Sequence, residues 1–203
     1  MPVNWKILTF ADREEWQAYL DQIEAKDVFF TPEYLKCNEI IIKGKAQCFV
    51  YKDDDTVILY PYLLRQIDGT EYLDITSGYG FGGFVGWPRY KKLTEFRKIF
   101  HEYCLENKII SEFIRFHPFY ENQFVNLDEN NNIYKYQSVV YCKTKLGIAE
   151  VEKYVAKEAK KKIKKAIKSC VEIVNEISDP IFYSFLDTYY ETMGRLKASD
   201  FYF

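Results

Sequence analysis

The hydrophobic pattern at the start of the chain predicts two helices. Apolar residues recur at helical spacing after Asp12, and we expect this helix to end near Lys26. Thr31 and Pro32 form a second start signal, a capping hydroxyl followed by a proline in the first turn. The second helix should run to about Ile42.

Three apolar runs separated by turn residues then predict an antiparallel meander. The turns are an aspartate triplet at 53–55 and the Asp-Gly pair at 68–69. The predicted strands are 46–51, 56–67 and 71–76. A loop over 77–87, which holds five of the nine glycines, follows the third strand.

The rest of the chain predicts alternating helices and strands. The expected elements are a helix over 88–107, strands over 111–117 and 133–145, a helix over 150–169, a strand over 171–177 and a last helix from Asp179. This mixture predicts an α/β or α+β fold in which a mixed, largely antiparallel sheet is flanked by helices.

Composition predicts a folded protein without a membrane span or a metal site. Hydrophobic residues make up 48% of the chain and aromatic residues 18%, which is enough for a sizeable core. The net charge of −2 argues against a general nucleic-acid or membrane role, although it leaves room for a local basic patch. Five scattered cysteines without a Cys-x-x-Cys pair, and only two histidines, give no zinc-site spacing and fit a reducing cytosol. Since the N-terminus has no signal-peptide pattern, we expect a cytoplasmic protein. We also expect no tightly bound cofactor.

The glycines at 78, 80 and 83 spell Gly-x-Gly-x-x-Gly after a predicted strand. A dinucleotide site needs a helix to begin within this motif, whereas the sequence up to Pro88 predicts an irregular chain. Ile75 stands three residues before Gly78, where a coenzyme A loop of the acetyltransferase kind has Arg or Gln. Two interpretations stay open: a loop that lets a substrate approach the backbone closely, and a structural tight turn.

Lysines are concentrated in the predicted helix over Lys157–Lys168, where they are seven of twelve residues. One interpretation is contact with phosphates, for example along a tRNA backbone. The other is a solvated face opposite an apolar stripe.

Four further residues are candidate ligands for a substrate. His117, beside Arg115 at the end of a predicted strand, has a reference pKa of about 6.5 that suits a general base. No nucleophile is recognisable as its partner, so a packed, hydrogen-bonded strand end is the default interpretation. Lys36 and Arg195 are single cations in aromatic-rich helices, where they either bind phosphate or are surface charges.

Five segments, in order along the chain, resemble the motifs of FemABX-like and BioF2-like acyltransferases, which have the GNAT fold. The segments are Thr-Pro-Glu-Tyr-Leu-Lys at 31–36, Asp-Ile-Thr-Ser-Gly-Tyr-Gly-Phe-Gly-Gly at 74–83, Arg-Phe-His-Pro at 115–118, the lysine-rich helix with Val-Glu-Ile at 161–173, and Tyr-Tyr-Glu-Thr-Met-Gly-Arg with the following residues at 189–202. The chain departs from the family at Cys170, where a glycine is usual, and in its lysines, which replace the arginines of the basic helix.

The resemblance implies an enzyme that transfers an acyl or aminoacyl group to an amine of a nucleotide-linked peptidoglycan or polysaccharide precursor. The donor would be an aminoacyl-tRNA, held in part by the Lys157–Lys168 helix, or an acyl-CoA. Lys36 and Arg195 would contact the diphosphate of the acceptor. The other substrate-binding residues that it implies are Tyr79, Gly80, Phe81, Gly82, Gly83, Arg115 and His117.

The resemblance also implies an enzyme of two GNAT-like domains. We expect residues 1–178 to form the first, and residues 179–203 to begin the connection to a second one that this chain lacks. A cleft that needs both domains would then be incomplete. The alternatives are acyl-CoA-dependent N-acylation of a sugar or lipid precursor, and a non-catalytic binding module whose exposed aromatic residues pack against a partner or a second copy in a homodimer.

Overall fold

The computed structural model divides the chain into two compact units, residues 1–139 and residues 140–203. The residues that it describes are 4–24, 27–88, 91–120, 122, 133–134, 138–139, 141, 143, 145, 147–173 and 178–192. The domain boundary expected after residue 178 stays a prediction.

The first unit is built on a six-stranded sheet flanked by helices. Its strands are β1 (Asn4–Thr9), β2 (Lys45–Asp53), β3 (Thr56–Gln66), β4 (Leu73–Thr76), β5 (Val85–Trp87) and β6 (Ile109–Phe113). Its helices are α1 (Arg13–Leu20), α2 (Pro32–Ile42) and α3 (Leu93–Glu106), with 3-10 turns at Phe10–Asp12 and Val28–Phe30. The predicted fold class, a mixed and largely antiparallel sheet with flanking helices, is confirmed.

The strands lie in the order β1-β2-β3-β4-β6, and β5 pairs with β3 outside this path. The first residues of β3 pair with β5, and its last residues pair with β4. All pairs are antiparallel except β4 with β6, which run parallel and are connected through α3. Strand β3 is therefore central: it pairs with β2 along one edge, and with β5 and β4 along the other.

Strand β3 separates two hydrophobic layers. Its first eight residues, Thr56–Leu63, are all buried, as expected for a central strand that is covered on both faces. On one face, Trp16 and Leu35 from α1 and α2 pack against the sheet. On the other face, Phe96 and Phe100 from α3 do so. Phe100 makes edge-to-face contacts with Phe49 and Tyr60 of the sheet in this second layer.

A polar network joins α3 to β6 and β3. The Arg97 guanidinium donates two hydrogen bonds to the Glu112 carboxylate, at 3.1 and 3.0 Å. The Tyr60 hydroxyl donates a third to Glu112, at 2.6 Å. A buried hydroxyl and a largely buried carboxylate are each provided with partners, which avoids the cost of burying them alone.

Two strands were missed by the sequence analysis: β5, which it placed in the loop over 77–87, and β1. Strand β1 is an edge strand with two residues at its start exposed, so its apolar alternation is weak. The start signal expected at Asp12 also differs: the Asp12 carboxylate accepts hydrogen bonds from the N–H and hydroxyl of Thr9, which begins a 3-10 turn before α1. Helix α1 ends at Leu20, earlier than predicted.

Two predicted helices and two predicted strands also differ from the structure. Helix α3 begins at Leu93 rather than Pro88, because Lys92 adopts a left-handed conformation with φ of 59°. The predicted helix over 150–169 is two helices, α4 (Ile148–Tyr154) and α5 (Lys157–Lys168), because Val155 is extended, with ψ of 124°. Residues 171–173 are irregular, and the described residues between 133 and 145 are not in a strand.

The second unit consists of α4, α5 and α6 (Asp179–Thr192) in the part that the structure describes. The last helix begins at the predicted Asp179-Pro180 signal. None of the three helices has a buried residue, and Phe182, Phe185 and Tyr189 are among the exposed apolar side chains of α6. Phe201–Phe203 lie outside the described residues.

The described residues include neither a membrane-spanning helix nor a metal-binding cluster. None of their helices has the length and apolar character needed to cross a bilayer. No group of three or more His, Cys, Asp or Glu side chains among them is arranged to hold a metal ion.

Replacing Glu112 by alanine should lower the free energy of unfolding by about 2–3 kcal/mol. The variant leaves Arg97 and Tyr60 without their acceptor, and the loss is smaller than the ~3–5 kcal/mol of a fully buried pair because both charged side chains keep some solvent contact. Urea unfolding monitored by circular dichroism measures it. Glu102→Ala, an exposed acid on α3, is the control and should change stability by less than about 0.5 kcal/mol. Equal losses in both variants would show that the network is not stabilising.

Candidate functional site

Helix α2 holds the glycine-rich loop through Asn38. The helix begins as predicted, with the Thr31 hydroxyl accepting a hydrogen bond from the Tyr34 N–H and Pro32 in the first turn. The buried Asn38 amide accepts the Tyr79 N–H at 2.7 Å and donates to the Tyr34 carbonyl at 2.7 Å. The Tyr34 hydroxyl donates to the Tyr79 carbonyl at 2.6 Å. Both polar groups of the Tyr79 backbone are therefore fixed by one turn of α2.

The same loop is held on its other side by the segment that follows β6. The Arg115 N–H donates to the Ser77 hydroxyl at 3.1 Å, and the Gly82 N–H donates to the Arg115 carbonyl at 2.8 Å. The Asn122 amide donates to the Gly82 carbonyl at 3.1 Å. The N–H groups of Tyr79 and Gly82 are thus already bonded within the protein, so neither is available to cradle a phosphate.

Packing explains the glycines of this loop. Gly80 has φ of +89°, and a Cβ there would lie 2.6 Å from a ring carbon of Phe29. Gly83 has φ of +94°, and a Cβ there would lie 2.8 Å from the Asn122 amide nitrogen. The geometry favours the structural tight turn over a nucleotide or coenzyme A loop. Of the five predicted loop residues, Tyr79 is the one with a largely exposed side chain, at 68%.

His117 is buried below the loop with both ring nitrogens occupied. Its Nδ1 accepts the Phe119 N–H at 3.2 Å, so the proton is on Nε2, which donates to the Asp27 carboxylate at 3.2 Å. The ring stacks on Tyr120 with centroids 4.0 Å apart. Burial lowers the pKa of His117, and the Asp27 carboxylate offsets this only in part. A neutral, fully bonded imidazole positions the turn before α2 rather than acting as a general base.

The Arg115 side chain is exposed to solvent, whereas its backbone N–H and carbonyl are hydrogen-bonded to the loop. Its guanidinium lies 5.5 Å from the centre of the Phe113 ring. No acid among the described residues forms an ion pair with it, so a substrate anion would meet an uncompensated charge. Arg115 and the Tyr79 side chain are the two solvent-accessible candidates of the loop region.

Lys36 lies on the opposite flank of α2 from the loop. Lys36 is two residues from Tyr34 and two residues from Asn38. Side chains two residues apart on a helix point about 200° away from each other around its axis. The Lys36 ammonium binds the Glu39 carboxylate at 2.5 Å and lies 5.7 Å from the centre of the Phe10 ring. The structure therefore brings the loop, Arg115 and His117 together but separates Lys36 from them. Arg195 lies outside the described residues.

A surface depression of about 290 Å³ contains Lys36. Its lining residues are Thr9, Phe10, Ala11, Lys36, Glu39, Lys45, Ala46 and Gln47. Burial alone would raise the pKa of Glu39, but the Lys36 ammonium and the Ala46 N–H, which donates at 2.9 Å, hold it below its usual value. The depression has two ammonium groups and one carboxylate, so its lining has a net positive charge.

Lys45 and Phe10 are the residues of this depression that the sequence analysis missed. Lys45 begins β2, and Phe10 follows β1, so the two meet only because these strands pair with Thr9 opposite Gln47. The Arg13 guanidinium, which is not among the lining residues, lies 5.6 Å from the centre of the Phe10 ring. The sequence has no local signal for this cluster, since its members come from three separate segments.

Comparison with known proteins adds little to this geometry. No protein-family model matches the chain, and no curated protein matches it significantly. Among solved structures, it is similar to a possible acetyltransferase from Clostridium difficile 630, with 11% identity and a TM-score of 0.34, over 68% of this chain and 99% of that one. A similarity of this size supports no inference about function.

Replacing Gly80 by alanine should destabilise the protein by about 2–5 kcal/mol. A left-handed conformation costs an alanine about 1–2 kcal/mol, and the contact with Phe29 adds an overpacking cost of about 1–3 kcal/mol. Gly69→Ala is the matched control, because Gly69 also has a positive φ, of +74°, but a Cβ there meets nothing within 4 Å. Urea unfolding should give a clearly larger loss for the Gly80 variant. Equal losses would mean that Phe29 moves aside without cost.

Stability should fall as the pH drops below about 6.5 because of His117. Its pKa is lower in the folded protein than in the unfolded chain, so on acidification the unfolded chain takes up the proton at a higher pH. The stabilisation is complete above the pKa of the unfolded chain and is lost as the pH falls towards the pKa of the folded protein. Urea unfolding of wild type and His117→Asn at pH 7.5 and 5.5 measures the effect. The exposed His101 is the control, and His101→Asn should keep the pH dependence of the wild type. The same slope in the His117 variant would assign it to other groups.

Proposed function

We propose that this chain is the acceptor-binding part of a cytoplasmic, FemABX-like N-acyltransferase. The enzyme would transfer an activated acyl or aminoacyl group to an amine of a nucleotide-linked cell-wall or polysaccharide precursor. The observation that supports it is the position of Lys36, which the sequence resemblance assigns to the acceptor's diphosphate. Lys36 lies in a depression with a second ammonium, Lys45, and an aromatic wall, Phe10.

The charges of the depression suit a diphosphate better than a neutral sugar. Lysine binds phosphate as a compact point charge. The Glu39 carboxylate forms an ion pair with the Lys36 ammonium at 2.5 Å. An incoming phosphate would either displace this carboxylate or bind Lys36 together with it. Lys45 is exposed and forms no close ion pair among the described residues, so its ammonium, which lowers the pKa of Glu39 from a distance, is available to the same ligand.

The glycine-rich loop would contact a different part of the acceptor. The loop and Lys36 are on opposite flanks of α2, and a helix with its side chains is about 10–12 Å wide. A nucleotide-linked precursor with a sugar or peptide attached is longer than this width, so one molecule reaches both flanks. In this arrangement Lys36 and Lys45 hold the phosphates, while Tyr79 and Arg115 contact the distal portion.

The chemistry we propose is direct transfer. The acceptor nitrogen attacks the carbonyl carbon of the donor ester or thioester, a C–N bond forms, and the tRNA hydroxyl or coenzyme A thiol leaves with the proton that the nitrogen gives up. The described residues contribute binding and orientation, which lower the barrier without a protein-bound intermediate. We place aminoacyl-tRNA first as donor and acyl-CoA second.

Lys36→Ala should weaken binding of a UDP-linked muropeptide by about 10- to 100-fold. This range corresponds to the loss of one hydrogen bond to a charged group, about 1.5–3 kcal/mol. Isothermal titration calorimetry on the full chain measures it, and Lys45→Ala should have a similar but smaller effect. Lys98→Ala, an exposed lysine on α3, is the matched control and should bind as wild type does.

Unchanged affinity in the Lys36 variant would contradict the assignment of the depression. Transfer is measured separately, with charged tRNA or acyl-CoA added to the saturated protein. Acceptor binding without transfer from either donor would favour a non-catalytic binding module. A thermal shift with acyl-CoA and none with the muropeptide would favour the coenzyme A-dependent alternative.

A further inference from the structure

Helix α5 is a concentrated positive charge on a chain that is otherwise acidic. It has seven lysines and one glutamate in twelve residues, a net charge of +6, whereas the whole chain has a net charge of −2. The single acid, Glu158, pairs with Lys161 at 2.9 Å. Six ammonium groups therefore remain for an anionic surface outside the protein.

The same helix exposes an apolar stripe. Ile163 and Ile167 are one turn apart and are 51% and 70% exposed. Ala159 and Ala166 flank them, and at 100° per residue the four positions fit within an arc of about 100°. None of the residues of α5 is buried. A helix that only solvates its lysines would bury this stripe, so the solvated-face interpretation does not account for it.

We propose that α5 binds the surface of an anionic lipid bilayer. The isoleucine stripe would lie at the boundary between headgroups and acyl chains, and Lys160 and Lys162, which flank the stripe on its two sides, would contact the anionic headgroups. A tRNA backbone, the partner expected from the sequence, would use the lysines but has no need of exposed isoleucines. The bilayer accounts for both faces of the helix, and RNA for one.

The small size of the stripe determines the kind of binding. Two isoleucines and two alanines are too little apolar area for firm insertion, so attachment depends on charge and is reversible. Each lysine near an anionic membrane raises binding about fivefold, and salt screens the effect within a Debye length of about 10 Å at 0.1 M. Binding should therefore require anionic lipid and weaken steeply with salt.

The test is co-sedimentation of the full chain with lipid vesicles. We expect binding to vesicles with about one-third phosphatidylglycerol, and none to pure phosphatidylcholine vesicles. Lys160→Gln with Lys162→Gln, the two lysines that flank the stripe, should reduce binding about 25-fold. The matched control is Lys52→Gln with Lys98→Gln, two exposed lysines of the first unit, which should leave binding within about twofold of wild type.

The isoleucines separate a bilayer from RNA. Ile163→Ser with Ile167→Ser keeps every charge, and it should reduce vesicle binding at least tenfold while leaving any binding of uncharged tRNA unchanged. Circular dichroism checks that the variants keep the helix content of the wild type. Absence of binding to anionic vesicles at low salt overturns the proposal. So does vesicle binding that is insensitive to both isoleucines, or a lysine-dependent affinity for tRNA without affinity for vesicles.

Discussion

The burial of β3 on both faces is the constraint on which the rest of the first unit depends. Eight consecutive residues of this strand are inaccessible to water, so both faces of the sheet must be covered by apolar groups. Helices α1 and α2 cover one face and α3 covers the other, each with the aromatic or aliphatic residues at its helical spacing. The position of α2, and with it Lys36 and Asn38, follows from this packing.

Helix α2 is the element that relates the core to the surface chemistry. Its inner face is anchored by Leu35, and its two flanks face different surroundings. On one flank, Asn38 and Tyr34 fix the backbone of Tyr79. On the other, Glu39 links Lys36 to the start of β2 through the Ala46 N–H. Asn38 therefore connects one flank of α2 to the loop, and Glu39 connects the other flank to β2.

What could be predicted from the sequence was local, and what could not was long-range. Thr31 and Pro32 predict the start of α2 because a capping hydroxyl and a proline in the first turn act within one helical turn. The role of His117 depends on Asp27, ninety residues away, and no pattern in the sequence relates the two. The sequence predicted that no helix begins within the glycine motif, and none does, but the reason for each glycine, such as the Phe29 ring against Gly80, depends on the folded chain. Lys45 joins Lys36 through strand register alone, so it could not be found beforehand.

The proposed function depends on whether the depression beside α2 binds the phosphates of an acceptor. The most direct test is a two-dimensional amide NMR spectrum of the isotopically labelled full chain, titrated with a UDP-linked muropeptide. We predict that the amide signals of Phe10, Ala46 and Gln47, which line the depression, shift with a single binding constant. Saturating ligand that leaves these three signals in place, with changes confined to other residues or none at all, would contradict the claim.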